Sequence, residues 1–165
     1  MGRQEDDKSD KNPVVTIRDA RPTDQAQLRR AVVEIQEYER KLHNTRLPGE
    51  QIADAYLAWA DPYHWIALAW RDGTTVGVVT VTTMLYVEWG RLGEIGDLYV
   101  LPKARRSGVG TALVDVAKAA CRDLGCSAVS VTITPEGEAR HRLTSFYRRL
   151  GFTASGRSIV THILT

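Results

Sequence analysis

Two rhythms of hydrophobic residues run along the chain: a period of two that marks strands, and spacings of three and four that mark helices. Residues 14–18 alternate as a first strand, and R-D-A-R-P-T-D-Q then supplies a turn and a helix start with Thr23 as N-cap. Leu28, Val32, Ile35, Tyr38 and Leu42 form the apolar stripe of that helix. Leu47-Pro48-Gly49 breaks the chain, and Ile52, Ala55, Tyr56 and Trp59 mark a second, shorter helix that Asp61-Pro62 ends. Residues 65–70 read as a strand, Arg71-Asp72-Gly73-Thr74 as a tight hairpin turn and residues 75–83 as the returning strand. Residues 84–91, with Tyr86 and Trp89, are a loop or an extension of that strand. Trp89 is expected in the core, at a dimer contact or at the mouth of a site.

The next stretch organises the rest. Ile95, Leu98, Val100 and Leu101, with Tyr99 among them, predict a strand that Pro102 stops. A basic, glycine-spaced turn follows, and Leu113, Val116, Ala117, Ala120 and Leu124 then mark one face of a helix. Residues 127–133 alternate into a strand, 134–138 turn the chain and 139–150 are helical, with Gly151 at the C′ position. Two last strands, 152–155 and 159–164, are joined by Gly156-Arg157-Ser158. The predicted order is β-α-α-β-β-β-α-β-α-β-β, a mixed α/β sheet flanked by helices in one domain over residues 14–165. Residues 1–13 have almost nothing to bury and are expected to be a disordered tail.

Composition narrows the function. A net charge of +2 argues against nucleic acid or an anionic membrane as partner. No apolar run approaches the ~18 residues that span a bilayer, and no secretory signal opens the chain, so a cytoplasmic location is expected. Cys121 and Cys126 have no second Cys or His pair beside them and read as buried free thiols. The four histidines are scattered, and neither H-E-x-x-H nor G-x-S-x-G occurs, so no metal and no covalent nucleophile is expected.

Chemistry concentrates in the turn Lys103 to Gly110. A strand delivers it and a helix leaves it, and the first turn of a helix has unpaired N–H groups and a positive dipole end. Gly108 and Gly110 let a ligand approach the backbone, and Arg105 and Arg106 suit phosphate oxygens. The local reading is a pyrophosphate site, or else a basic solvated rim on a strand–helix connection. A Walker loop is excluded because the turn ends Gly-Val-Gly-Thr, and the dinucleotide fingerprint because its third glycine is missing.

Arg105, Gly108 and Gly110, directly after L-Y-V-L-P, fill Arg/Gln-x-x-Gly-x-Gly/Ala, and the stretch resembles the acetyl-CoA-binding motif of the GNAT superfamily of N-acetyltransferases. F-Y-R-R-L-G-F, some forty residues on, resembles a second motif of that family. The resemblance covers roughly residues 14 to 165 and implies a GNAT-type fold. It implies acetyl-CoA against Leu98, Tyr99, Val100, Arg105, Arg106, Ser107, Gly108, Val109, Gly110 and Thr111, with Tyr147 as general acid. It implies transfer of an acetyl group to a primary amine, with backbone N–H groups near Leu98 to Val100 steadying the thioester oxygen.

Two positions depart from the family pattern. The turn T-P-E-G-E-A lacks an asparagine that many relatives use to hold the cofactor. Where the polyamine-acetylating branch has Glu-Asp, this chain has Gly96-Asp97. The base is then Asp97 or Glu94. Strand alternation puts Glu94 and Gly96 on one face and Asp97 on the other, unless a bulge at Gly93 or Gly96 changes the facing. The resemblance also places the end of the first helix at the acceptor, so Glu37 and Glu39, near Glu34, would hold a small cationic amine; otherwise they form a solvated face paired with Arg40 and Lys41. The short final turn implies an open acceptor site, or one completed by the second subunit of a homodimer. Two alternatives stand beside a small-amine acetyltransferase: a non-catalytic acyl-CoA-binding module and an acetyltransferase of protein lysines or N-termini.

Overall fold

The computed structural model describes residues 14–43, 54 and 63–162. Its sheet contains β1 (Val15–Asp19), β2 (His64–Arg71), β3 (Thr74–Tyr86), β4 (Gly90–Val100) and β5 (Ala128–Val131), side by side in that order. Neighbours from β1 to β4 are antiparallel, and β5 lies parallel to β4. Asp72 and Gly73 both take positive φ, 51° and 72°, as a two-residue hairpin between right-twisted strands requires. Residues 84–91 are the strand extension: β3 runs on to Tyr86, which pairs with Gly90. Trp89 sits at this hairpin tip beneath the Arg157 guanidinium, 4.2 Å from its ring centroid.

Alternation along β2 to β4 gives the sheet two apolar faces. Against one lies α1 (Gln25–His43), where Leu28 and Val32 meet Ile66, Leu68 and Val78. Against the other lies α2 (Val109–Asp123), where Val109, Leu113, Val114, Ala117 and Cys121 meet Ala67, Ala69, Val79, Val81 and Ile95. The chain enters α1 through a 3-10 turn, Pro22–Asp24, so Thr23 is not its N-cap. Asp24 instead accepts from the Arg21 N–H and from both terminal nitrogens of Arg18, and the Arg18 hydrogen bond holds its carboxyl down at about 2. This pair ties β1 to the start of α1.

After β5 the chain departs from expectation in three places. Thr134 caps a helix through its Oγ1, which accepts the Gly137 N–H, and Pro135 takes the first helical position. The expected turn at 134–138 is therefore the first part of α3 (Pro135–His141). Arg142, at φ 53°, interrupts the predicted single helix, and α4 (Leu143–Arg149) follows. The expected strands 152–155 and 159–164 do not form among the described residues. Phe152 packs on Tyr147, and Arg157 fastens the segment to the β3–β4 tip through Glu88 and Trp89. From the first strand to the helices after β5 the described order is the expected one. The expected helix at 52–59 and the tail at 1–13 lie outside the described residues, Asp54 excepted.

One contact sets how closely α2 approaches the sheet. A Cβ on Gly93 would stand 2.4 Å from the Cys121 Sγ, and Cys121 is itself buried, its thiol pushed up to about 12 by that burial. Gly93→Ala is expected to cost about 1–3 kcal/mol of stability through overpacking. Adding Cys121→Ala should recover part of it in denaturant titrations. Wild-type stability in Gly93→Ala would show that this approach is not tight.

Candidate active site

The site begins with a bulge. Val79 pairs with Leu98 and Val81 with Ile95, so the single residue Thr80 faces both Gly96 and Asp97. Thr80 is buried, and its Oγ1 accepts the Asp97 N–H and donates to the Asp97 carboxylate, both at 2.9 Å. A Cβ on Gly96 would press on that hydroxyl at 3.2 Å, which accounts for glycine there. The bulge changes the facing of β4. Before it, Gly93 and Ile95 point to the α2 face; after it, Leu98 and Val100 do. Glu94 and Asp97 are thereby brought onto the same face, the one α1 covers. Glu94 stands beside β5, accepting a hydrogen bond from the Thr132 hydroxyl at 3.0 Å.

Next to the bulge, β4 loses a partner. β5 pairs with it only from Leu92 to Ile95. Leu101 donates to the Val76 carbonyl across β3, so by alternation Leu98 and Val100 turn their N–H groups to the opposite edge. Among the described residues no strand pairs with β4 on that side beyond Ile95. The turn that follows is folded around the same edge. Arg105 Nε donates to the Val100 carbonyl at 2.9 Å, and Ser107 Oγ donates to the Ala104 carbonyl and accepts from Arg71.

Gly108 precedes α2 at φ 82°, with nothing within 4 Å of where its Cβ would stand. The first intrahelical bond runs from Ala112 to Gly108, leaving the N–H groups of Val109, Gly110 and Thr111 without intrahelical acceptors. These N–H groups, the open approach at Gly108 and the exposed Arg106 form a cradle that fits a pyrophosphate. Val109 itself is buried in the core, so it can offer a ligand only its backbone. Gly110 would accept a methyl group, since a Cβ there meets Phe146 and Val100 at ordinary contact distances of 3.7 and 3.8 Å.

Tyr147 projects from α4 into the α2-side core, only 4% exposed. The rings of Phe146 and Phe152 stand edge-on to it, with centroids at 5.0 and 5.3 Å. Burial pushes its hydroxyl up to about 12. Phe146 and Val100 both face Gly110, so α4 closes against the start of α2 beside the end of β4.

On the α1 face the acidic residues separate. Glu34 lies toward Tyr99, whose hydroxyl is raised first by burial and then by the Glu34 carboxylate, with Arg105 opposing. Glu37 is exposed, and the side chain of Glu39 lies outside the described residues. Tyr38, one turn beyond Glu34, packs on Tyr99 and hydrogen-bonds His141 of α3. Thr80, Tyr38 and His141 carry no sequence signal that marks them for this region; each is placed by a contact to a distant element. Among the described residues no group of three or more His, Cys, Asp or Glu could hold a metal ion, and no helix is long and apolar enough to cross a membrane.

Comparison with curated proteins finds no significant match. Among solved structures, a protein from Bacillus halodurans C-125 described as a transcriptional regulator is 25% identical, with a TM-score of 0.72 over 91% of this chain and 100% of that one. An aminoglycoside N-acetyltransferase in complex with CoA is 18% identical, with a TM-score of 0.73 over 93% and 97%. A ribosomal-protein-alanine N-acetyltransferase from Brucella melitensis biovar Abortus 2308 is 21% identical, with a TM-score of 0.70 over 91% and 100%. The last two likenesses concern the fold. The family model described as Acetyltransferase (GNAT) family matches residues 31–152, a span that contains the bulge, the glycine turn and Tyr147. The chain belongs to the GNAT acetyltransferase family.

Proposed function

We propose that this protein moves an acetyl group from acetyl-CoA to a primary amine, and that the amine is small and cationic. The observation that carries the reading is the bulge at Gly96-Asp97, which gathers two carboxylates beside an unpaired strand edge and a glycine cradle. Arg105, Arg106 and the N–H groups from Ser107 to Thr111 hold the pyrophosphate, and Leu98, Tyr99 and Val100 line the path of the pantetheine arm. Gly108 is indispensable to this for its backbone, at φ 82°.

An amine with a pKa near ~10 is almost wholly protonated at neutral pH and must lose a proton before it attacks. Asp97, or Glu94 through a water, takes that proton. The edge N–H groups of Leu98 and Val100 face the thioester oxygen and stabilise the charge that develops on it. Tyr147 returns a proton to the departing thiolate. With its hydroxyl at about 12, Tyr147 stays protonated throughout the neutral range. The same burial raises the basicity of a thiolate beside it, which favours the transfer.

For the acceptor, Glu34, which lies toward Tyr99, joins Glu94 and Asp97 on the α1 face, with Glu37 exposed on the same helix. The aminoglycoside N-acetyltransferase among the structural neighbours is in keeping with such an acceptor. A non-catalytic CoA-binding module is the second reading, favoured by the packing of Tyr147 among phenylalanines and by a neighbour described as a transcriptional regulator.

A panel of amines at saturating acetyl-CoA, read by thiol release, separates the two: turnover with any amine supports the enzyme, and none across the panel supports the module. Tyr147→Phe keeps the ring and removes the acid. It should lower kcat roughly 10- to 1000-fold with CoA affinity unchanged; wild-type turnover where chemistry limits the rate would leave Tyr147 a packing residue. A diamine should outperform an uncharged aryl amine in kcat/KM, and its KM should rise with salt as the acidic mouth is screened. No advantage for the diamine, or a salt-independent KM, contradicts the acidic mouth and leaves the chemistry standing.

A further inference from the structure

Arg105 is held from three sides. Its Nε donates to the Val100 carbonyl at 2.9 Å, and its guanidinium lies 5.8 Å from the ring centroid of Tyr38 and 5.7 Å from that of Tyr99. Tyr99 is fixed by strand pairing, but Tyr38 sits near the end of α1 and has no such support. What steadies it is His141, whose Nε2 meets the Tyr38 hydroxyl and whose ring lies 5.8 Å away at 30°. His141 closes α3 immediately before the left-handed Arg142, so its position is set by the cap of that helix. Partial withdrawal from water, then the charges of Arg105 and Arg140, hold its pKa below the ordinary range. The neutral ring can then accept a hydrogen bond from the Tyr38 hydroxyl.

We propose that Tyr38 and His141 are positioning residues for the cofactor cradle: their hydrogen bond, spanning from α1 to α3 past the unpaired edge of β4, fixes Arg105 against the rings of Tyr38 and Tyr99. The proposal rests on the reading of Arg105 as a cofactor-holding residue. A guanidinium bonded through Nε and flanked by two aromatic rings has its terminal nitrogens restricted, so it loses less freedom when it meets a phosphate. Freed from Tyr38, the same side chain would have to be ordered by the ligand.

The test is calorimetric binding of CoA, with thermal melting in parallel. Tyr38→Phe and His141→Phe keep the rings and break the bond; each should weaken CoA roughly three- to tenfold, and the double variant should be no weaker than the worse single. His141→Gln places an amide near the Nε2 position and should stay within about twofold of wild type. Arg105→Ala, with Arg105→Lys in case the first fails to fold, should weaken CoA at least as much as the Phe variants. If the Arg105 variants lose affinity but Tyr38→Phe and His141→Phe bind like wild type while melting lower, the pair only ties two helices together and the proposal is overturned. Equal weakening by His141→Gln and His141→Phe overturns it as well. Wild-type affinity in folded Arg105 variants would remove Arg105 from the cofactor reading, and the positioning role would fall with it.

Discussion

A backbone N–H within a sheet must find an acceptor, and on β4 that requirement changes at one point. From Leu92 to Ile95 the strand is paired on both sides; beyond it, β5 has ended and one edge of β4 continues alone to Val100. The rest of the site is arranged around that loss. The edge N–H groups of Leu98 and Val100 have no strand partner among the described residues, and the Val100 carbonyl is claimed by Arg105 from the turn that follows. The segment from α3 to α4 runs alongside the gap, touching α1 through His141 and the start of α2 through Phe146.

The bulge sits where the pairing ends, and it divides the charges. Inserting one residue opposite Thr80 turns Asp97 to the α1 face, where Glu94 already stands, while Leu98 and Val100 take up the α2 face. Acidic groups therefore line one side of β4, and the basic turn with its free N–H groups lies at the strand's end. Tyr147 belongs to neither side. It sits in the core, where burial keeps its proton on.

How much of this could be read from the chain follows from how local each feature is. The glycine turn and F-Y-R-R-L-G-F are short contiguous stretches, so the local chemistry of the turn marks Arg105, Gly108 and Gly110, and the resemblance of the second stretch to a family motif marks Tyr147. The facing of Glu94 against Asp97 depended on a bulge whose other half, Thr80, lies on a different strand. Whether Glu34 or Glu37 turns toward β4 depends on the rotation of α1, which no single-helix pattern fixes. Tyr38 and His141 are 103 positions apart, so their contact leaves no trace in sequence. The two expected final strands do not form among the described residues, where Phe152 and Arg157 commit the segment to other contacts. Thr134-Pro135, read as a turn, is equally a helix start, and the Gly137 N–H decides for the helix.

If the turn between β4 and α2 is an anion cradle for CoA, Gly108 is where that is most exposed to test. Gly108→Asp puts a carboxylate into the open space beside the free N–H groups, at a φ of 82° that aspartate tolerates better than most residues. Isothermal titration of CoA into this variant, in protein whose melting curve shows it folded, should give no measurable binding, while wild type gives a saturable heat. Equal affinity in the two proteins would contradict the account, because a charge and a side chain cannot be added to a pyrophosphate cradle without being felt there.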